Sequence, residues 1–465
     1  MAGIPVARKR CLPLWWSIIW VLRHTTHSPE HPTRSSDPRG HDFDSLALSS
    51  FDLKQTDRCV MCGLCLPHCP TYIETQDEGD SPRGRIALMQ SLDRGELGGS
   101  SRLTFHLDRC LECRACEAMC PSRVPFGALM DAARARVEPS RRRTRARRMA
   151  RYLALDILVP HKRVLRLAGR LLRLYQRSGL RYLARATGAL RAMGLSRADT
   201  ALPELTRPGR WRRYYPPSAP QRGTVALFTG CVAEFTDTQT LEASISVLNR
   251  LGFGVHVPRN QVCCGAIHQH NGDPDKAGAL AQRNMQAFSA VEPDAILTTA
   301  SGCGAMLREY GTLNQPAGKG GGQAAEFAAR VQDINAFLDG CDWAGTARLA
   351  PLRARVAVHL PCSLRNTLKQ PGTTASLLGR IPQIELIALT DQNRCCGAAG
   401  SYVLTEPDMA DRLREPHIAA IRAQRPALVV SANVGCAMHL SAGLRAAGVT
   451  MEVIHPVVLL ERQLR

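Results

Sequence analysis

Cys59-Val-Met-Cys62-Gly-Leu-Cys65-Leu-Pro-His-Cys69-Pro70 is answered, 51 residues further on, by Cys110-Leu-Glu-Cys113-Arg-Ala-Cys116-Glu-Ala-Met-Cys120-Pro121. Both runs share the spacing Cys-x2-Cys-x2-Cys-x3-Cys-Pro, the arrangement that wraps a pair of [4Fe-4S] cubanes. Two-residue gaps let one short loop present three thiolates to three corners of a cubane, and the fourth corner is filled from elsewhere. Proline ends each loop by fixing φ and removing a donor. The spacing predicts a small cluster-binding module in a chain built to move electrons.

In two-cluster ferredoxins the last cysteine of each run crosses to the other cluster. That rule assigns Cys59, Cys62, Cys65 and Cys120 to one cluster, and Cys110, Cys113, Cys116 and Cys69 to its mate. Zinc sites favour two separated Cys-x2-Cys pairs and do not account for a third cysteine and a Cys-Pro, twice over. Disulfides suit small secreted domains in an oxidising compartment, unlike a chain of 465 residues with no credible export signal.

The other ten cysteines reveal an internal repeat. Cys231, Cys263-Cys264-Gly265 and Cys303 recur as Cys362, Cys395-Cys396-Gly397 and Cys436, at offsets of 131, 132 and 133 residues. Val225-Ala226-Leu227-Phe228 before Cys231 answers Val356-Ala357-Val358-His359 before Cys362, and Ala295-Ile296-Leu297 answers Ala427-Leu428-Val429-Val430. Short branched apolar runs alternating with helical stretches, Lys276 to Val291 and Pro407 to Gln424, read as β-α units around a parallel sheet.

Cys231, Cys303, Cys362 and Cys436 each follow a predicted strand, where open parallel sheets gather their ligands. The CCG triplets reach the same rim, and glycine there permits close backbone approach. The two repeats thus offer a third and a fourth metal or cluster site, one each: Cys231, Cys263, Cys264 and Cys303, then Cys362, Cys395, Cys396 and Cys436. Buried free cysteine is the plainer alternative, and it is the reading for Cys11 and Cys341, which belong to neither pattern.

Together these features resemble a family with an amino-terminal dicluster ferredoxin module and two cysteine-rich CCG domains. That family includes iron-sulfur subunits of flavin-linked 2-hydroxyacid and glycerol-3-phosphate dehydrogenases and subunits of heterodisulfide reductases. The pattern is most similar to glycolate oxidase (glycolate dehydrogenase) iron-sulfur subunits. The residues that carry the likeness are the two cluster runs, Ser81-Pro-Arg-Gly-Arg-Ile86, Thr299-Ala-Ser-Gly-Cys-Gly-Ala305, Cys395-Cys-Gly-Ala-Ala-Gly-Ser-Tyr402 and Ser431-Ala-Asn-Val-Gly-Cys436. The resemblance implies an α+β multidomain fold: a small helix-rich ferredoxin-like module followed by two tandem α/β cysteine-rich domains. It also implies electron transfer from an FAD-containing dehydrogenase subunit, which oxidises glycolate, through two [4Fe-4S] clusters to a quinone or similar membrane acceptor. A cluster accepts electrons singly and cannot take a hydride, so that step belongs to the partner and no catalytic residue is assigned here. A lactate or glycerol-3-phosphate dehydrogenase subunit and a thiol/disulfide reductase acting at the CCG sites remain the alternatives.

Some CCG domains add a fifth thiol in a final Cys-x2-Cys, but here Met306 and His439 stand three residues after Cys303 and Cys436. Four thiolates per repeat still suffice for an ordinary cluster. His439 is able to donate a nitrogen but reads rather as a solvent-facing or core histidine, whereas His268 and His270, just past the first CCG and nearer the rim, are chemically able to tune a potential or pass protons. The glycine run at 318–322 follows no strand and opens no helix, and reads as a flexible surface loop.

Between residues 134 and 222 there are 24 Lys plus Arg against 4 Asp plus Glu, so this linker carries the whole net charge of +20. Arg163, Arg166, Arg170, Arg173 and Arg177 recur at helical spacing with Val164, Leu167, Leu171 and Leu174 between them, an amphipathic cationic helix. An anionic membrane surface, an acidic flavoprotein face and plain solvation each account for it. No stacking aromatics or groove-reading motif accompany the charge, so no nucleic acid is expected.

The expected domains are a poorly ordered extension (1–50), the dicluster module (51–137), a basic helical linker (138–222) and the two CCG domains (223–345 and 346–465). The apolar run from Cys11 to Leu22 follows Arg8-Lys9-Arg10 but holds only 12 residues, short of the roughly 20 that span hydrocarbon. An interfacial anchor or a start assigned too far upstream accounts for it. Abundant thiolates predict a reducing cytoplasmic setting, peripheral on the inner membrane face, with no transmembrane helix.

Overall fold

The computed structural model describes residues 52–205, 209–312, 321–345, 347–389 and 394–465. The extension at 1–51, with its basic and apolar stretches, lies outside them, as do 313–320.

The amino-proximal region is helical: α1 (Pro82–Asp93), α2 (Ser101–Asp108) and α3 (Phe126–Val137). Ser81 Oγ accepts from the Gly84 N–H with Pro82 opening α1, and Ser100 Oγ accepts from Leu103 N–H ahead of α2. These caps satisfy amides that a helix start leaves orphaned. Ile86, Met89 and Leu92 on α1, Leu103 and Leu107 on α2, and Leu129, Met130 and Val137 on α3 close one small core. The first cysteine run precedes α1, and the second connects α2 to α3. Both therefore leave the same core.

The basic segment folds into further helices, chiefly α4 (Lys162–Arg177) and α5 (Leu180–Ala186). Leu165 of α4 is buried in the core of the first repeat, and Gly169 meets Phe235 so closely that an added Cβ would lie 3.3 Å from it. The linker is thus packed onto the protein along one face.

The first repeat begins with β1 (Tyr214–Tyr215) and β2 (Gly223–Phe228), then α6 (Thr238–Arg250), β3 (Phe253–His256), α7 (Pro274–Ser289), β4 (Ala295–Thr298), α8 (Ser301–Arg308), α9 (Gly321–Arg330) and β5 (Val331–Asp333). The second repeat holds β6 (Arg355–His359), β7 (Glu385–Ala388), α10 (Pro407–Gln424), β8 (Leu428–Ser431), α11 (Val434–Ala446), β9 (Val453–Ile454) and α12 (Pro456–Gln463). Because α9 starts at Gly321, the end of the glycine run does open a helix, contrary to the sequence expectation of a surface loop.

Sheet order is β1-β3-β2-β4-β5 in the first repeat and β7-β6-β8-β9 in the second. All pairings are parallel except β1 against β3. In both sheets the first repeat strand, β2 or β6, lies between the second and third. Chain direction around the sheet reverses there, which opens a crevice at the strand carboxyl ends. The two sheets share one apolar core, in which Val225, Leu241 and Leu248 meet Val356, Leu377 and Val457 to Leu460. The fold class is the one expected from sequence: a helix-rich cluster module followed by two α/β repeats.

Both CCG glycines lie in the left-handed region, Gly265 at φ +92° and Gly397 at φ +84°. A Cβ at Gly397 would come 2.6 Å from the Ala410 carbonyl oxygen, against 3.2 Å from Ala277 O at Gly265. Gly397→Ala is expected to destabilise by about 1–3 kcal/mol, more than Gly265→Ala. Urea unfolding of the two variants side by side checks the order.

Candidate metal centres

The two cluster loops repeat one backbone device. Met61 and Gly63 in the first, and Glu112 and Arg114 in the second, all have positive φ, at matching places between the first, second and third cysteines. Left-handed non-glycine residues are strained by about 1–3 kcal/mol each and persist where the surroundings over-determine them.

Cys69 lies at the second loop. With Cys110, Cys113 and Cys116 it lines one cavity, closed by Pro70, Leu111, Arg85 and Phe126. Cys113 and Cys116 both lie within electrostatic reach of Cys69 and Cys110. Burial and the neighbouring thiols push Cys113 and Cys116 well above the ordinary range. Thiols held protonated in this way ionise together only onto a cation, which is the chemistry of a cluster site. The amide of Glu112 donates to Cys110 Sγ at 3.4 Å. These observations fit a [4Fe-4S] group.

In the first loop, Cys65 lies near Cys59 and Cys69, and burial pushes its thiol up to about 11. Cys62 is exposed, while Cys59 and Cys120 pack against the helical core.

Two buried arginines hold this geometry. Arg85 donates to His106 O at 2.7 Å and Thr71 Oγ1 at 3.1 Å, with Nη1 4.0 Å from Cys69 Sγ. Arg134 donates to the carbonyls of Leu107 (2.8 Å), Cys110 (2.7 Å) and His270 (3.0 Å) and pairs with Glu112. Arg85 lies in the Ser81–Ile86 motif singled out in the sequence, whereas Arg134 does not stand out there, because its acceptors lie 22 or more residues away.

In the repeats, the strand order brings each set of four thiols together. Cys231 follows β2, the triplet Cys263-Cys264-Gly265 follows β3, and Cys303 sits in the first turn of α8 after β4. Contacts run from Cys231 to Cys263, to Cys264, to Cys303. Asn284 and Tyr310 fix the triplet through hydrogen bonds to Cys263 O (3.0 Å) and Cys264 O (2.8 Å). In the second repeat the same chain links Cys362, Cys395, Cys396 and Cys436, with 3.8 Å between the sulfurs of Cys362 and Cys395.

The second set adjoins the cluster module. Cys113 and Cys362 pack with Leu111 and Cys395, and Asn366 donates to Cys113 O at 2.6 Å. Tyr402 Oη donates to Arg109 O at 3.1 Å, and Arg114 pairs with Glu309 of the first repeat. The module therefore sits on the rim formed by the strand ends of both sheets.

The histidines are distributed differently from the sequence reading. His270 faces Glu112 Oε2 at 2.5 Å and Asp131 Oδ1 at 2.9 Å, so it joins the first repeat to the cluster module. His268 bonds Leu155 O at 3.0 Å, and burial lowers its pKa. His439 is a core histidine, bonded to Ala410 O at 3.1 Å. The histidine grouped with thiols is His359, buried with Cys396 and Cys436. Burial, with His417 and Arg365 nearby, pushes it down to about 3. Cysteine spacing alone could not reveal it. Cys341 bonds only Phe337 O among the described residues, at 3.2 Å, and stands apart from both sets.

Three family models match segments of the chain. A 4Fe-4S dicluster domain model matches residues 55–124, and a model of the glycolate oxidase iron-sulfur subunit linker region matches 146–201. A cysteine-rich domain model matches twice, at 225–308 and 356–441. The chain is 34% identical over 401 residues to a probable glycolate oxidase iron-sulfur subunit of Bacillus subtilis, covering 85% of this chain and 90% of that protein. It is 34% identical over 399 residues to the glycolate oxidase iron-sulfur subunit of Escherichia coli, covering 83% and 90%. Lactate utilization protein A of Bacillus velezensis is 26% identical over 234 residues, 50% of this chain and 96% of that protein.

Burial acts to lower the pKa of His270, but Glu112 and Asp131 overcome it and hold it well above 6.5. A raised histidine stabilises the fold fully below its unfolded pKa, and that contribution disappears as pH rises through the folded value. His270→Asn is expected to cost ~2 kcal/mol at pH 6, the scale of half-exposed charge-assisted hydrogen bonds. The gap to the parent protein should close at alkaline pH, as read by urea unfolding across that range.

Proposed function

The chain belongs to the family of glycolate oxidase iron-sulfur subunits, and from that premise we propose that it relays electrons from a flavoprotein partner to a quinone-type acceptor. It is an iron-sulfur, electron-transfer subunit of a glycolate oxidase-type enzyme. In the proposed reaction the partner oxidises glycolate to glyoxylate, and the two electrons released enter this chain singly. The observation that carries the reading is the run of adjoining thiols, with Cys69 beside Cys110, Cys113 and Cys116, and Cys113 beside Cys362.

We assign Cys59, Cys62, Cys65 and Cys120 to one [4Fe-4S] cluster and Cys110, Cys113, Cys116 and Cys69 to the other. A cluster, when bound, supplies one-electron storage at a potential set by burial and hydrogen bonds to sulfur. The protein contributes the setting. Arg85 and Arg134 place buried positive charge beside the thiolate sites, which favours the more negative reduced state. Leu111 and Phe126 keep water from the second loop. With Cys113→Ser, glycolate-dependent flavin reduction in the complex should persist while electron delivery to a quinone analogue falls to background. Loss of both activities together, or a native preparation without flavoprotein, would contradict the assignment.

We also propose that the linker rests on an anionic bilayer. The structure revises which face is available. Lys162 and Arg166 turn inward to Glu234, whereas Leu167, Leu171 and Leu174 on α4 and Leu180, Tyr182 and Leu183 on α5 are exposed. Leu174 is 61% exposed and Tyr182 79%. Arg163, Arg170 and Arg177 are also exposed on α4. An exposed apolar stripe among cations suits the boundary between lipid headgroups and acyl chains. Among the described residues no helix is long and apolar enough to cross a membrane. Replacing Leu167 and Leu171 together with Glu should weaken co-flotation with phosphatidylglycerol vesicles at least about tenfold. Equal flotation of both proteins would contradict this surface, and loss of flavoprotein capture instead would assign it to the partner.

A further inference from the structure

Ligand atoms of His359, Cys396 and Cys436, all buried, lie within 4.8 Å of one another. The three residues come from the carboxyl ends of β6, β7 and β8 or the segments just beyond them. Their meeting is a product of the strand order β7-β6-β8, which no local spacing encodes. We propose that His359 is a ligand of a metal centre in the second repeat, giving it a mixed nitrogen and sulfur donor set that the first repeat cannot form.

The protein contains its own control. In the second sheet His359 pairs in register with Ser431, and in the first sheet Phe228 pairs with Thr298. Phe228 is buried against Phe288, with ring centroids 6.2 Å apart. The fold therefore accepts an apolar ring at this position. Putting an imidazole there instead carries a desolvation cost that a purely structural role does not require.

The imidazole is also oriented. Ser431 Oγ lies 3.0 Å from His359 Nδ1, which leaves Nε2 as the nitrogen offered to a metal. Metal-ligating histidines characteristically use the second ring nitrogen in such an orienting hydrogen bond. Cys362 and Cys395 complete the site on the side that faces Cys113. The centre therefore adjoins the second cluster loop, whereas the first repeat keeps an all-sulfur set.

Iron in a cluster and zinc both accept nitrogen and sulfur donors. In a cluster, neutral nitrogen replacing a thiolate lowers the negative charge of the centre and raises its potential, as the histidine-ligated two-iron clusters illustrate. The proposal rests on the reading of the chain as a cluster-binding subunit, but its test is separable from that reading.

The test uses the full chain, purified anaerobically with its native partner, as the parent protein, His359→Phe and His359→Cys. Iron and zinc are quantified, and X-ray absorption at both edges reads the donor atoms. The parent should hold metal beyond the about eight irons of two cubanes, with nitrogen in its shell. His359→Phe, which copies the first repeat, should lose the nitrogen signature and release the additional metal to a chelator at least about tenfold more readily. His359→Cys should retain the metal in an all-sulfur shell. Circular dichroism and the dicluster signals should be unchanged throughout. The proposal is overturned if the parent holds no additional metal, if its shell is sulfur alone, or if His359→Phe keeps the parent spectrum. In those cases intact dicluster signals leave the electron-transfer reading standing.

Discussion

The cluster loops depend on buried positive charge. A guanidinium removed from water is costly unless its donors are met, and the two terminal nitrogens of Arg134 are met by three carbonyls within 3.0 Å and a carboxylate. Two of those carbonyls, of Leu107 and Cys110, fix where the second loop leaves α2, and the third, of His270, belongs to the first repeat. One side chain thus shapes the loop and ties it to the domain beneath. Arg85 does the equivalent behind Cys69, bridging Thr71, Asp80 and His106. The Ser81-Pro82-Arg83-Gly84-Arg85 motif follows from this: Ser81 caps α1, Gly84 leaves room for the Glu78 carbonyl, and Arg85 enters the core.

The repeats solve a different problem. Thiols from three strand ends converge in each repeat, and a parallel sheet whose order reverses beside its first strand provides the crevice. Duplication supplied two such crevices over one shared core. The repeats differ at one equivalent strand end, with Phe228 in one and His359 in the other. The cluster module covers the rim, placing Cys113 against Cys362 and Cys395.

Much of this was legible in the sequence because thiol spacing is local and the repeat offsets are nearly constant. The cluster runs, the strands before Cys231 and Cys362, and the helix at Pro407 to Gln424 all follow from pattern. What escaped is non-local. His359 shares no spacing with the cysteines it meets and becomes visible only through strand register. His270 was read as a rim histidine because its partners, Glu112 and Asp131, lie more than a hundred residues away. The linker helix was correctly amphipathic, yet a helical pattern cannot say which cations Glu234 will draw inward.

The central claim is that the eight amino-proximal cysteines hold two iron-sulfur cubanes. Iron and acid-labile sulfide analysis of the anaerobically purified protein, with electron paramagnetic resonance after reduction, tests it most directly. The account predicts at least about eight irons per chain, matching sulfide, and the magnetically coupled spectrum of two neighbouring reduced clusters. A colourless protein carrying zinc or cross-linked thiols in their place would contradict it.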